Sequence, residues 1–403
     1  MSLFEGVLST PEMLSVFSER SLVDAMLRFE AALARSQARL GIIPESAAQS
    51  IAGSCKVELF DVAKMVRDGA RGGSVAAPLL HGLKEAVGLF NADAMPFVHF
   101  GIGDQDLVDT AMALLTREAV ALVEADLAQA VQALLRLAER HAETPMLART
   151  STQPTSVTSF GLVCAAWAAP LARSRGRLAQ AAHRGLQVQL GGAGGTLDRM
   201  QGQGAALRRQ LADALGLRDP GVAWHTQRDE WLAIGCELGL MVGSLGMLGK
   251  DLLLLGQHEI GEVAEPAESG RGERLPLAHR SEPRASMVAL AAAQRAPQRV
   301  AALLAAMPQA HPGALGGWQA ELAEWPQLLL SAHGSVRALA GALPGLHVDA
   351  ARMRSNIDRL RSGLPRGAAA EGFDPALAET AGVLALAQVL ALQSPPDLSD
   401  DTR

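Results

Sequence analysis

Tyrosine is absent from the 403 residues, and Phe with Trp brings the aromatic share to only 3%. A core without aromatic bulk must be filled by Leu, Ala, Val and Met, a palette that favours close-packed helices over sheets. Cysteine is scarce too, and Cys55, Cys164 and Cys236 lie far apart in apolar or helical contexts. Three scattered thiols argue against a disulfide framework or a zinc site and point to the reducing cytoplasm. There is no basic excess, since the formal net charge is −6, so no nucleic-acid partner is expected. No basic and then apolar leader opens MSLFEGVLSTPE. The stretch WLAIGCELGLMVGSLGMLG, 231 to 249, is apolar enough to invite a membrane reading, but Glu237 and five glycines interrupt it. Gly235, Gly239 and Gly243 recur every four residues, which predicts a helix face open to close approach by another backbone. It reads as a buried core helix, and no membrane partner is expected.

What is present is helical periodicity. In ERSLVDAMLRFEAALARSQARLG, Leu22, Met26, Phe29 and Leu33 follow the helical repeat, with Ser21 as the expected N-cap and Gly41 as the stop. From Asp104 to Thr144 there is neither Gly nor Pro, and Val120, Val123, Leu127, Val131, Leu134 and Ala138 recur at three and four residues. That spacing predicts a helix of some 50 Å at about 1.5 Å per residue. Helices of such length are stable when packed against others like them. Further runs at 221–265 and 287–343 supply the partners, and no alternating strand pattern of convincing length is found. The reading is all-α: an N-terminal helical domain over 1–100, a central long-helix bundle over 101–344, and a short C-terminal segment over 345–403. The last residues, QSPPDLSDDTR, read as a polar tail.

Motif chemistry is sparse. LGGAGGT (190–196) lacks the Lys-Ser/Thr of a phosphate loop and reads as a tight interhelix turn. There is no G-x-S-x-G, and His258–Glu259 lacks the second histidine of a zinc helix. Four polar clusters remain, HFGIGDQDLVDT (99–110), RTSTQPTSVTSFGL (149–162), WHTQRDE (224–230) and GRGERLPLAHRSEPRAS (270–286). Each adjoins a long helix, so a bundle can gather them into one pocket. Ordinary caps and turns would use the same residue types.

These clusters carry a resemblance. HFGIGDQDLVDT is similar to H-[WF]-G-A-T-S-Q-D-x-x-D-T of the fumarase/aspartase superfamily, within which the chain resembles bacterial 3-carboxy-cis,cis-muconate lactonizing enzymes. QLGGAGGT, WHTQRD, GEVAEP and ALGGWQAE are similar to other landmarks of that family, in the same order from residue 1 to about 363. The resemblance implies an all-helical subunit of three parts, here with a shortened C-terminal domain. It also implies a homotetramer with sites where three subunits meet, and no metal or organic cofactor. The implied reaction is lactonization of 3-carboxy-cis,cis-muconate to 4-carboxymuconolactone in aromatic catabolism. A lyase or hydratase acting on another small polycarboxylate is the alternative. A non-catalytic homologue that forms tetramers, even mixed ones with a related subunit, is another.

The departures from the family pattern cluster. Its T-S-Q-D reads Gly103, Asp104, Gln105, Asp106, and its proton-transferring His after Gln153 is Pro154. The paired serines of its signature loop fall on Arg274 and Leu275, its Lys on Arg280, and an Arg on Gly313, while His279 matches. A carboxylate at 104 repels an anionic substrate unless it is protonated or paired. The candidate proton carriers are therefore His279 and Asp104. Gln105, Gln153, His225, Arg274 and Arg280 are the candidate substrate-binding residues, the arginines because a planar guanidinium clamps carboxylates.

Overall fold

Ser18, not Ser21, opens the first long helix, because its hydroxyl accepts the Ser21 N–H at 3.1 Å and satisfies one of the free amides of the first turn. The helix stops as expected, with Gly41 just beyond it at φ 69°. The computed structural model describes residues 3–266, 282–313, 316–365 and 371–393. Its N-terminal part holds α1 (Leu3–Val7), α2 (Pro11–Val16), α3 (Glu19–Arg39), α4 (Glu45–Ser54), α5 (Val62–Gly72) and α6 (Ala76–Phe90). The bundle follows as α7 (Asp104–Arg140), α8 (Phe160–Gly185), the shorter α9 (Gly204–Leu215), α10 (Asp229–Leu255), α11 (Arg284–Ala306) and α12 (Gly317–Ala342). Helices α13 (Ala350–Ser362) and α14 (Leu377–Gln393) complete the described chain. The fold is all-α in class, and the tail 394–403 lies outside the described residues.

Helix α7, with 37 residues, is the axis of the bundle. At about 1.5 Å per residue it spans about 55 Å, and α3, α8 and α12 pack along it. Helix α10 is long and apolar enough to cross a membrane. It nevertheless buries Trp231, Ile234, Leu238, Met241, Leu245 and Leu248 inside the bundle. Its glycines let α11 approach, but not in the expected register. A Cβ on Gly239 would stand 2.8 Å from Val300, one on Gly246 only 2.2 Å from Ala293, while Gly243 meets nothing within 4 Å. Eight residues rotate about 80° around a helix axis and eleven only about 20°. Gly246 therefore shares the face of Gly235, and Gly243 has turned away.

Two short sheets correct the expectation of no strands. β1 (Pro145–Thr150) and β2 (Gln153–Ser159) form an antiparallel hairpin turned at Ser151 and Thr152, both with positive φ. Their alternation is weak in the sequence because hydroxyl residues fill β2 and only a few apolar side chains, notably Leu147 and Val157, face a core. These two join Ile357 and Ala378 in a small cluster that fastens the hairpin to α13 and α14. Arg149 from β1 grips the fully buried Glu262 through two hydrogen bonds, 2.9 and 2.7 Å, and Asn356 of α13 donates to the same carboxylate. Next to Glu262, β3 (Val263–Ala264) pairs with β4 (His347–Val348).

Gly246→Ala should lose about 1–3 kcal/mol by overpacking α10 against α11. Gly53→Ala, at an open position in α4, should be neutral or gain up to about 1 kcal/mol. Denaturant midpoints of the two variants check the pair.

Candidate active site

The site is built from the head of α7. Residues 103 to 109 place Asp106 and Asp109 on nearly one helix face, three residues apart, and both are buried. Asp106 accepts backbone N–H groups from Gly103 (3.0 Å), Gly191 (2.9 Å) and Gly192 (2.8 Å), and it bonds His225 Nε2 at 2.8 Å. The LGGAGGT loop is thus a turn, as expected, wrapped around a carboxylate of its own chain. Gly192 needs its φ of +66°, and a Cβ on Gly191 would come within 2.7 Å of the His225 ring.

One step deeper, Arg228 at the start of α10 is almost wholly buried between Asp109 of α7 and Glu321 of α12. Its guanidinium donates to both oxygens of Asp109, at 2.7 and 3.2 Å, and makes two further bonds to Glu321. It also lies 4.5 Å over the Trp224 ring, and Trp318 Nε1 donates to Asp109 at 2.9 Å. Burial alone would lower the Arg228 pKa, but the two carboxylates raise it, so the cation is held firmly. Burial raises the Glu321 carboxyl above its ordinary value, and Arg228 opposes that shift only in part. Trp231 and Trp325 stack at 4.1 Å beside this knot.

Above this floor lies a cavity of about 570 Å³, whose lining includes Ser74, Asp104, Gln105, His225, Gly313 and Trp318. No Lys or Arg occurs among the described lining residues. Gln105 is fixed there, accepting from Gly313 N–H at 2.7 Å and donating to the His225 carbonyl at 3.0 Å. Asp104, half exposed, accepts from the Ser74 hydroxyl at 3.1 Å. It is also the first residue of α7, where the helix dipole favours an anion. His99 stands behind it, with Nδ1 2.6 Å from buried Glu30 and Nε2 3.9 Å from Asp104 Oδ1. Burial would lower the His99 pKa, but Glu30, Asp104 and Asp106 together raise it above its ordinary value.

The candidates thus separate. Asp104, Gln105 and His225 share one cavity, although the imidazole of His225 is committed to Asp106. Gln153 sits at the exposed start of β2 on the hairpin and does not line this cavity. Arg274, His279 and Arg280 lie outside the described residues. The stretches HFGIGDQDLVDT, WHTQRDE, ALGGWQAE and the first long helix carry His99, Asp109, Arg228, Glu321 and Glu30, but none of these was among the candidate site residues. An acidic residue on an otherwise apolar helical stripe was the available signal for Glu30.

Arg228→Met would leave two buried carboxylates without their cation and should cost about 3–5 kcal/mol. Adding Glu321→Gln to that variant should recover part of the loss. The raised Glu321 pKa means that its stabilising contribution is complete below the unfolded-state value and fades as pH rises through the folded one. Glu321→Gln alone should therefore flatten the fall of stability between those two values, as chemical denaturation across pH would show.

Comparison with known proteins agrees with this architecture. A lyase family profile matches residues 6–272. The 3-carboxy-cis,cis-muconate cycloisomerase of Pseudomonas aeruginosa is 41% identical over 381 residues, which are 94% of this chain and 82% of that one. The nitrosuccinate lyase of Streptomyces davaonensis is 35% identical over 349 residues, 85% of this chain and 73% of that one. The crystal structure of the 3-carboxy-cis,cis-muconate lactonizing enzyme from Pseudomonas putida superposes with a TM-score of 0.87 at 32% identity, covering 97% of this chain and 100% of that one.

Proposed function

The chain belongs to the lyase family of fumarase and aspartase type, and we propose that it is a cycloisomerase closing 3-carboxy-cis,cis-muconate to 4-carboxymuconolactone. Similarity to named cycloisomerases over nearly the whole chain supports the reaction class. The observation that carries the reading to residues is the cavity at the head of α7, with Asp104 on its wall and Gln105 held in place. Asp104 is the proton carrier in this reading. Arg274, Arg280 and His279 supply carboxylate clamps and a second titratable group from the segment 270–286, and Gln153 comes from a neighbouring subunit. Preorganised donors of this kind stabilise the charge that moves during ring closure.

A homotetramer in the cytoplasm, built on the central bundle in domains 1–100, 101–344 and 345–403, completes the proposal. Leu240, Met247 and Leu254 of α10 and Met287 of α11 are exposed, a set of apolar side chains that subunit packing would cover. One observation favours a second reading. A carboxylate stands where the family has a hydroxyl, in a cavity with no described cation, as a lyase reshaped for a different small polycarboxylate would have it. The 35% identity to a nitrosuccinate lyase fits that alternative.

Purified protein incubated with 3-carboxy-cis,cis-muconate should remove the diene absorbance, and Arg280→Ala should slow it by about 10²-fold or more. Absence of turnover, alone or mixed with a typical cycloisomerase, would withdraw the lactonization and leave the alternative lyase or a non-catalytic tetramer.

A further inference from the structure

His99 is a non-glycine residue at φ +58°, a left-handed backbone that β-carbon sterics disfavour. Its side chain is 10% exposed, and its Nε2 has no hydrogen-bond partner among the described residues. Such a combination costs free energy, and it persists because the surroundings impose it. They do so from α3: Glu30 holds Nδ1 at 2.6 Å, and two turns further on Gln37 Nε2 donates to the Phe100 carbonyl at 2.8 Å. The ring is thereby aimed, and Nε2 faces Asp104, the one carboxylate among the described lining residues of the cavity. Among the described residues the charged groups that face the imidazole are acidic, Glu30 from α3 with Asp104 and Asp106 from α7. Arg199 lies 5.9 Å over the adjacent Phe100 ring.

We propose that Glu30 and His99 are a proton store for Asp104: His99 neutralises the carboxylate in the empty site and hands it a proton when an anionic substrate arrives. Like charge brought beside Asp104 favours its protonated form, and the imidazolium behind it is the adjacent donor. The 3.9 Å gap is an ion-pair distance, too long for a direct hydrogen bond. Rotation of the half-exposed Asp104 side chain closes it, as catalytic contacts tighten in the complex. The last step rests on the proposed ring closure. A substrate carboxylate oxygen bonds to one carbon, and the π pair moves to its neighbour. That carbon takes the proton from Asp104, which returns to carboxylate. One C–O and one C–H bond form and one C=C π bond is lost. Nothing is oxidised, and neutral His99 regains a proton from solvent. His99 is a positioning residue here, and Asp104 is the group that meets the substrate. This arrangement answers the repulsion expected of a carboxylate at 104.

The test uses the full-length protein. The His99 ring is titrated by NMR in wild type, Asp104→Asn and Glu30→Gln. The protonated imidazole loses a facing negative charge in each variant, so its titration midpoint should move to lower pH in both. A midpoint that Asp104→Asn leaves in place would falsify the relay, whether or not any substrate is turned over. With turnover, kcat should fall as pH rises through the His99 titration. Glu30→Gln should move that limb to lower pH with KM little changed. His99→Asn, which tolerates the left-handed backbone, should lower kcat by about 10²-fold or more. A loss in His99→Asn that is uniform across pH, with the Glu30→Gln profile superimposed on wild type, would reduce both residues to a structural role. Normal coupling of the titrations without turnover would sink the cycloisomerase reading and leave the proton store standing.

Discussion

Everything at the head of the bundle depends on one buried cation. Arg228 joins Asp109 of α7 to Glu321 of α12 from the residue that caps α10, so three long helices share a register at one point. A buried ion pair of this kind adds little net stability compared with an apolar replacement, but losing one partner is costly. Its effect here is geometric. With Arg228 fixed, Trp318 and Trp224 are placed, and beside them the glycine loop closes over Asp106 to complete a buried polar floor.

That floor explains how the rim can change without loss of the fold. Gly103, Asp104 and Gly313, where the resemblance implied other residues, all line the cavity, whereas Asp106, Asp109 and Arg228 face inward and are buried. A side chain at position 103 would have room, since a Cβ there meets nothing nearer than 3.9 Å. The rim is therefore open to exchange of hydroxyl, carboxylate and glycine, while the polar network beneath requires every member to be satisfied. Scaffold and chemistry are carried by different layers of the same helix end.

The helices were legible because their signals are local: α3 and α7 follow directly from apolar spacing, and Gly41 from its place after the repeat. The hairpin was not legible, since strand pairing between Leu147 and Val157 is set by the C-terminal helices they pack on. The α10 glycine register was misread because a four-residue repeat drifts around the helix. Among site residues, Asp104 and Gln105 were visible through the resemblance. The Glu30–His99 contact links residues 69 apart in sequence, and the Arg228–Glu321 contact links residues 93 apart. Neither pairing leaves a local trace, so only the tertiary packing of α3 and α12 reveals them.

On the proposed reading, the chemistry of this site has moved onto Asp104 while the floor beneath it is retained. A crystal structure with an unreactive tricarboxylate bound tests this most directly. The expected result is a ligand in the α7-head cavity, with its reacting carbon beside Asp104 and the Asp104 carboxyl drawn to hydrogen-bond distance of His99 Nε2. A ligand bound away from Asp104, or an Asp104 turned to solvent with His99 left unpartnered behind it, would contradict the claim.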